Sequence, residues 1–412
     1  MNALTVINII FGIALAVCYV YQFVYMVISY VKRKNAPETD VRNRIAILVA
    51  ARNEERVISR LLNSINAQDY PMNCFEVFVV ADNCTDKTAE IAAMHGATVF
   101  ERFNTVDIGK GYALDFLLCK LRETRGLDSF DAFLIFDADN SLKENYLTEI
   151  NKTLALGYDC VTSYRASCNY SDSWVSAGQG MCFLRDTVLL NRARMAVGGC
   201  CFVSGTGYAF TSKLCREFGG GWPFHTLTED CEFSMYNATR GSRVGYSDTA
   251  VFYDEQATRL FVSCKQRLRW CKGGIQVFTK YFKELLGGIF SRRFVSCFDM
   301  SMCMTPAYII SVSAVIVNAV GSVVTVIIHK NPLEVLFTMS AAVLFAYFVL
   351  LCFSIPLTIS EWRLLGGGAC KKILYAFTVP IFMFTFIPVA FIALFKRRVV
   401  WTPIAHGENK KK

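Results

Sequence analysis

The chain has 412 residues, 53% of them hydrophobic, with 43 Lys and Arg against 34 Asp and Glu for a formal charge of +9. Its length allows two ordinary domains, but its apolar share is too high for a chain that meets only water, so part of it must face lipid. Much of the positive charge sits beside apolar stretches, where it would meet anionic headgroups, and no basic and aromatic stripe supports nucleic-acid binding.

Residues 3–30 carry no charged side chain, more than the roughly 20 residues that cross a bilayer core as a helix. A cleaved signal peptide would need a basic leader and a shorter apolar run, and bulky Val17 spoils the lipoprotein-like Leu15-Ala16-Val17-Cys18. An anchor over 1–33 is therefore expected. Lys32, Arg33 and Lys34 follow at once, which predicts an outside N-terminus and a cytosolic soluble region.

Residues 44–51, RIAILVAA, read as a strand buried on both faces. The spacing of Val57, Leu61, Leu62 and Ile65 predicts an amphipathic helix ending near Tyr70-Pro71. Strand 75–81, helix 88–96, strand 97–102, helix 109–121 and strand 131–139 repeat the cycle, so a mostly parallel sheet with crossover helices is expected. Ligands of such sheets bind at the carboxyl ends of the strands, where Asp82, Asp137 and Asp139 fall. Beyond residue 150 the pattern loosens, and 198–210 and 219–222 read as loops and short strands shaping a cleft.

Four acidic or basic signatures, with Lys110 beside them, carry candidate chemistry. Asp137 and Asp139 stand two apart, so on an extended strand both face one side and can converge on a divalent cation; a plain strand-end turn also favours Asp. Asp82 can accept a hydrogen bond from a nucleotide or cap the helix near Thr88. Lys110 can offset diphosphate charge, with Gly109 and Gly111 permitting close backbone approach, or simply begin a flexible helix. In Thr228-Glu229-Asp230, Asp230 is the candidate base for a sugar hydroxyl, with Glu229 and Glu232 as rivals and a helix cap by Thr228 as the plain alternative. Helical spacing puts Gln266, Arg269 and Trp270 of QRLRW on one side, suited to phosphate and a sugar ring; a basic juxtamembrane helix with an interfacial Trp would look the same.

Residues 278–294 read as an amphipathic helix in the membrane surface. Three more uncharged stretches, 301–328, 335–360 and 373–395, are long enough to span. Four spans put the C-terminus outside, yet Lys396, Arg397, Arg398 and three terminal lysines argue for inside, so one segment is expected to be re-entrant or interfacial, or the tail an exception. Pro356, Pro380 and Pro388 make broken helices plausible. Seventeen scattered cysteines without a CxxC pair fit a reduced compartment, and four histidines without ligand spacing make no case for zinc.

Taken in order, ILVAARNEE, Asp82, Asp137-Ala138-Asp139, Thr228-Glu229-Asp230 and QRLRW resemble the membrane-embedded family-2 glycosyltransferases, the group with cellulose, chitin, hyaluronan and poly-N-acetylglucosamine synthases. The resemblance covers about 43–276 and implies an α/β GT-A fold, an inverting transfer from a UDP-sugar, and Mg²⁺ or Mn²⁺. It places Glu54 and Asp82 near the uridine, Lys110 and Asp137 near the nucleotide, Asp139 on the metal, Asp230 as general base, Gln266 and Arg269 on the diphosphate, and Trp270 at the acceptor end. The first aspartate stands in ADN rather than DDG or DGS, and the acceptor-side loop reads SGTG at 204–207.

The expected architecture is thus an anchor (1–33), a cytosolic GT-A domain (43–276), an interfacial region (277–300), about three spans (301–395) and a basic tail (396–412). The expected activity is processive extension of a β-linked polysaccharide, with a homo-oligomer or accessory subunit helping to form the channel. The alternative is a non-processive enzyme that glycosylates a membrane lipid, as ceramide glucosyltransferases do.

Overall fold

The computed structural model describes residues 3–33, 35–329, 332–397 and 399, so Lys34, Arg398 and the terminal lysines lie outside the described residues. The chain opens with helix α1 (Ala3–Val31). It continues through β1 (Ile45–Ala51), α2 (Ile58–Asn66), β2 (Phe75–Asp82), α3 (Thr88–Met94), β3 (Thr98–Arg102), α4 (Lys110–Thr124) and β4 (Ala132–Asp137). After the two-residue β5 (Ser141–Leu142) come α5 (Tyr146–Leu154), β6 (Cys160–Ser167), α6 (Trp174–Leu184), a π-helical stretch (Arg185–Asn191) and α7 (Arg192–Ala196). Next are β7 (Tyr208–Thr211), α8 (Ser212–Glu217), α9 (Glu229–Arg240) and β8 (Val244–Asp254). The rest is helical: α10 (Leu260–Ile289), α11 (Phe294–Met302), α12 (Thr305–His329), α13 (Pro332–Ser360), α14 (Ala369–Phe384) and α15 (Phe386–Phe395).

The strands form one sheet in the order β3-β2-β1-β4-β7-β6-β8-β5. The first four pair in parallel, because each crossover returns through a helix, and β7 joins antiparallel to both β4 and β6. Strand order reverses between β1 and β4, so a crevice opens there at the strands' carboxyl ends. The sequence pattern explains the central strands: Ile45, Ile47, Val49 and Leu134 pack on one face, and Ala46, Leu48, Phe133 and Ile135 on the other, all fully buried. Each of these side chains larger than alanine stabilises the fold by roughly 1.5–3 kcal/mol.

Among the described residues, four helical segments are long and apolar enough to cross a membrane: 6–31, 294–327, 335–360 and 369–395. The structure refines three expectations. Residues 277–289 are not a separate element but the second half of α10, which already contains QRLRW. The last apolar segment is two helices meeting at Thr385, so a break lies between Pro380 and Pro388, whereas α13 runs through Pro356. Before the loops at 199–207, residues 174–196 are helical with a π-helical middle, where a loose region was expected.

Candidate active site

Asp82 ends β2 and is buried, its Oδ1 held by Arg102 Nη1 at 2.5 Å and Asn83 Nδ2 at 3.2 Å. The residue therefore first neutralises a buried guanidinium on the neighbouring strand, and capping of α3 falls to others. Asp86 does that work by accepting from the Thr88 backbone N–H and hydroxyl. Loop residues 53–55 are laced to this turn: the Glu54 N–H donates to Thr88 Oγ1 at 2.8 Å and Asn53 Oδ1 accepts from the Thr85 N–H. Glu54 and Asp82 thus border the same end of the crevice.

Lys110 opens α4 and donates to Asp137 and, at 2.6 Å, to the Gly205 carbonyl. Burial pulls its ammonium down, but Asp137, Glu229 and Asp230 outweigh that and hold the pKa above its usual value, so the side chain stays charged. Gly111 is needed for a reason other than ligand approach: a Cβ there would stand 2.2 Å from the Phe224 carbonyl oxygen.

The paired aspartates depart from the extended geometry expected. The strand ends at Asp137, and Ala138 and Asp139 turn, with the Asn140 N–H donating to the Asp137 carbonyl at 3.2 Å. Asp137 faces Lys110 and is partly exposed, while Asp139 is buried. Burial, then Asp254 and Asp137, push the Asp139 carboxyl well up, against the pull of Arg165. Such concentrated oxygen charge fits a hard divalent cation. Among the described residues no three His, Cys, Asp or Glu groups converge, so Asp137 and Asp139 would supply part of a shell that diphosphate and water complete.

Glu229 and Asp230 form the first turn of α9, whose N-terminal end favours negative charge. Burial and the neighbouring Asp230 push the Glu229 carboxyl up to about 7, with Lys110 and Arg269 opposing; burial raises Asp230 too. Thr228 sits at the cap position without a side-chain capping bond, so the plain alternative of a Thr228 cap is not what the structure shows. Beneath, Trp222, Phe224 and Phe233 pack with centroids 5.1–5.3 Å apart and fix the helix.

Gln266, Arg269 and Trp270 lie on α10 as their spacing implied. Arg269 Nη1 donates to the Leu227 carbonyl at 3.0 Å, tying this helix to the Glu229-Asp230 turn. Gln266 accepts from Gln179 on α6 at 2.8 Å, and Trp270 meets Phe183 edge-on at 5.6 Å.

The sequence reading missed a hub around Asn140, which is fully buried. Its Nδ2 donates to Asp139 and Asp254, and its Oδ1 accepts from Thr206 Oγ1 at 2.5 Å. Asp254, at the end of β8, also accepts from Arg165 and Gln256, while Arg165 Nη1 donates to the Ser204 carbonyl and its guanidinium lies 3.6 Å from the Phe183 centroid. The hub thereby joins the paired aspartates to the 204–207 loop and to Trp270. Only the position of Asp254 at a strand end could have signalled it.

Known proteins share this fold. A structure of a mannosyltransferase from Pyrobaculum calidifontis in complex with GDP-Man and Mn²⁺ matches with a TM-score of 0.65 at 17% identity, covering 96% of this chain and 100% of that one. At that identity it shows the fold alone, which is GT-A. A beta-monoglucosyldiacylglycerol synthase of Nostoc sp. is 28% identical over 281 residues, 66% of this chain and 57% of that protein. A poly-beta-1,6-N-acetyl-D-glucosamine synthase of Staphylococcus epidermidis is 23% identical over 270 residues, 65% of this chain and 63% of that protein. The chain thus spans between half and two thirds of the length of these curated relatives. The family described as "Glycosyltransferase like family 2" matches residues 42–273, more than half of the sequence, and the chain belongs to that family.

Proposed function

We propose that this protein is an inverting glycosyltransferase that moves a hexose from a UDP-sugar to a hydroxyl of a membrane lipid. The observation that carries the transferase reading is the meeting of Lys110, Asp137, Gly205, Glu229, Asp230 and Arg269 in one crevice at the strand ends. Asp230 takes the acceptor proton as the hydroxyl oxygen bonds to the anomeric carbon; the anomeric C–O bond to the diphosphate breaks and its electron pair leaves with UDP. Lys110 and Arg269 face the charge that develops on the leaving group. Mg²⁺ or Mn²⁺, held by Asp137 and Asp139, would neutralise the diphosphate. Glu54 and Asp82 border the nucleoside, Gln266 supports the diphosphate, and Trp270 packs against the acceptor.

A lipid acceptor is favoured because α12 and α13 expose most of their described apolar side chains, including Val320, Val323, Ile327, Phe345 and Phe348, as helices that face lipid do. The Nostoc relative points the same way. The polysaccharide reading rests on the Staphylococcus relative and on QRLRW beside the membrane, and it needs further copies or a partner to enclose a polymer. Catalytic residues 43–276 between anchor and spans, and a cytosolic face set by Lys32 and Arg33, complete the reading. Purified protein in lipid vesicles with each UDP-sugar and Mn²⁺ tests it: a lipid carrying a single hexose is expected, and a polymer would establish the second reading instead.

A further inference from the structure

We infer that residues 369–395 do not cross the bilayer but form a re-entrant cap over the acceptor end of the site, latched by Arg267, so that the chain crosses three times and its C-terminal end returns to the catalytic side. Reach carries this most directly. At 1.5 Å per residue a continuous helix from Lys371 to Ala393 would span about 33 Å, enough to leave the catalytic domain entirely. Both ends instead touch it. Lys371 Nζ donates to the Ser171 carbonyl at 2.9 Å, and Lys272 Nζ donates to the Ala393 carbonyl at 3.3 Å. Between them, Phe382 lies so close to α6 that a Cβ on Gly178 would stand 2.4 Å from its ring, and Thr385, at the break, accepts from Arg267 Nη1 at 2.7 Å. α15 then follows α10 from Arg267 towards Lys272, and Cys271, Val389 and Ala393 bury one another there beside Leu268 and Tyr308.

Charge points to the same depth. Arg267 is fully buried, and among the described residues it has no carboxylate within ion-pairing distance. Its guanidinium lies 4.4 Å from the Phe382 centroid and 4.5 Å from Phe386, one ring on each side of the break. A cation balanced by two π faces and a hydroxyl is tolerable near the headgroups and costly at mid-bilayer, so the break belongs at the interface. The cap also explains the conflict between span number and charge: three crossings bring Lys396 and Arg397 to the side of Lys32 and Arg33. Because α14 and α15 touch α6 and α10, the helices that carry Phe183 and Trp270, the cap borders the entrance for a lipid headgroup; this last step rests on the lipid-acceptor reading, and the topology does not.

The full chain, tagged at both ends, in sealed vesicles with the catalytic domain outward, tests the topology. External protease should remove the C-terminal tag together with the catalytic domain and spare the N-terminal tag; a protected C-terminal tag overturns the cap, whatever the acceptor proves to be. Arg267 is a positioning residue, so Arg267→Gln should raise the acceptor KM by about tenfold, the scale of one charged hydrogen bond, with the UDP-sugar KM unchanged. Thr385→Val, which removes only the hydroxyl partner, should move the acceptor KM in the same direction and serves where Arg267→Gln does not fold. An unchanged acceptor KM, or equal change in both constants, overturns the latch.

Discussion

The two halves of the sheet hold their functional residues in different ways. On the β1–β4 side, site residues stand at the ends of parallel strands and are fixed by near neighbours: Asp82 pairs with Arg102, its register partner on β3, and Lys110 at the start of α4 meets Asp137 at the end of β4. On the β6–β8 side, each functional contact joins distant stretches: Arg165 with Asp254, Gln179 with Gln266, Arg267 with Thr385. On the proposed function the first half would be a nucleotide platform assembled locally, and the second an acceptor wall assembled only when the sheet, α10 and the C-terminal helices have met.

The largest effect should come from the residue at the junction of the halves. Asp230→Asn removes the proposed base and should lower turnover by about 10²–10⁴-fold. The platform is untouched, so UDP binding by calorimetry should stay nearly constant. A matching loss of UDP affinity would mean that the halves are not separable as described.

That division also explains what was legible in the sequence. Strands β1, β2 and β4 announced themselves as short Ile, Leu and Val runs because they are buried on both faces; Asp82 and Asp137 followed from strand-end logic, and Lys110 from its place at a glycine-flanked helix start. The order of QRLRW after the acidic turn carried the family. The geometry of Asp139 was misjudged because the strand stops two residues earlier than its apolar pattern suggests, and the turn is set by Asn140 and Thr206, a partner 66 residues away. Arg165 and Asn140 carried no local signal and Asp254 only its place at a strand end, since each gains meaning only from a partner distant in sequence. The break at Thr385 was signalled by Pro380 and Pro388, but its exact place was not, because the run around it is uniformly apolar.

A second test sets one buried ion pair against the other. Arg165 with Asp254 and Arg102 with Asp82 are both largely desolvated, so deleting either carboxylate strands a guanidinium and should cost about 3 kcal/mol of stability. Asp254→Asn and Asp82→Asn should therefore unfold at similarly lowered denaturant concentrations. Their kinetics should differ: Asp82→Asn weakens the UDP-sugar KM, whereas Asp254→Asn disturbs the 204–207 loop through Arg165 and Ser204 and weakens the acceptor KM. Identical kinetic signatures would erase the distinction between platform and wall.

The smallest effect is a pH limb. Burial raises both Glu229 and Asp230, and the two adjacent carboxyls titrate as a pair, with Glu229 reaching about 7. Asp230 works only as a carboxylate, so a raised pKa means that activity is full above the pair's range and is lost as pH falls through it. kcat/KM should drop about tenfold for each unit below that range, well above the limb near 4 of an unperturbed carboxylate. Glu229→Gln removes a neighbouring negative charge and should move the limb to lower pH while transfer survives. If Glu229→Gln abolishes transfer as fully as Asp230→Asn does, the proton goes to Glu229, and the base belongs to the residue that lies nearer Lys110 and the nucleotide platform than the acceptor wall.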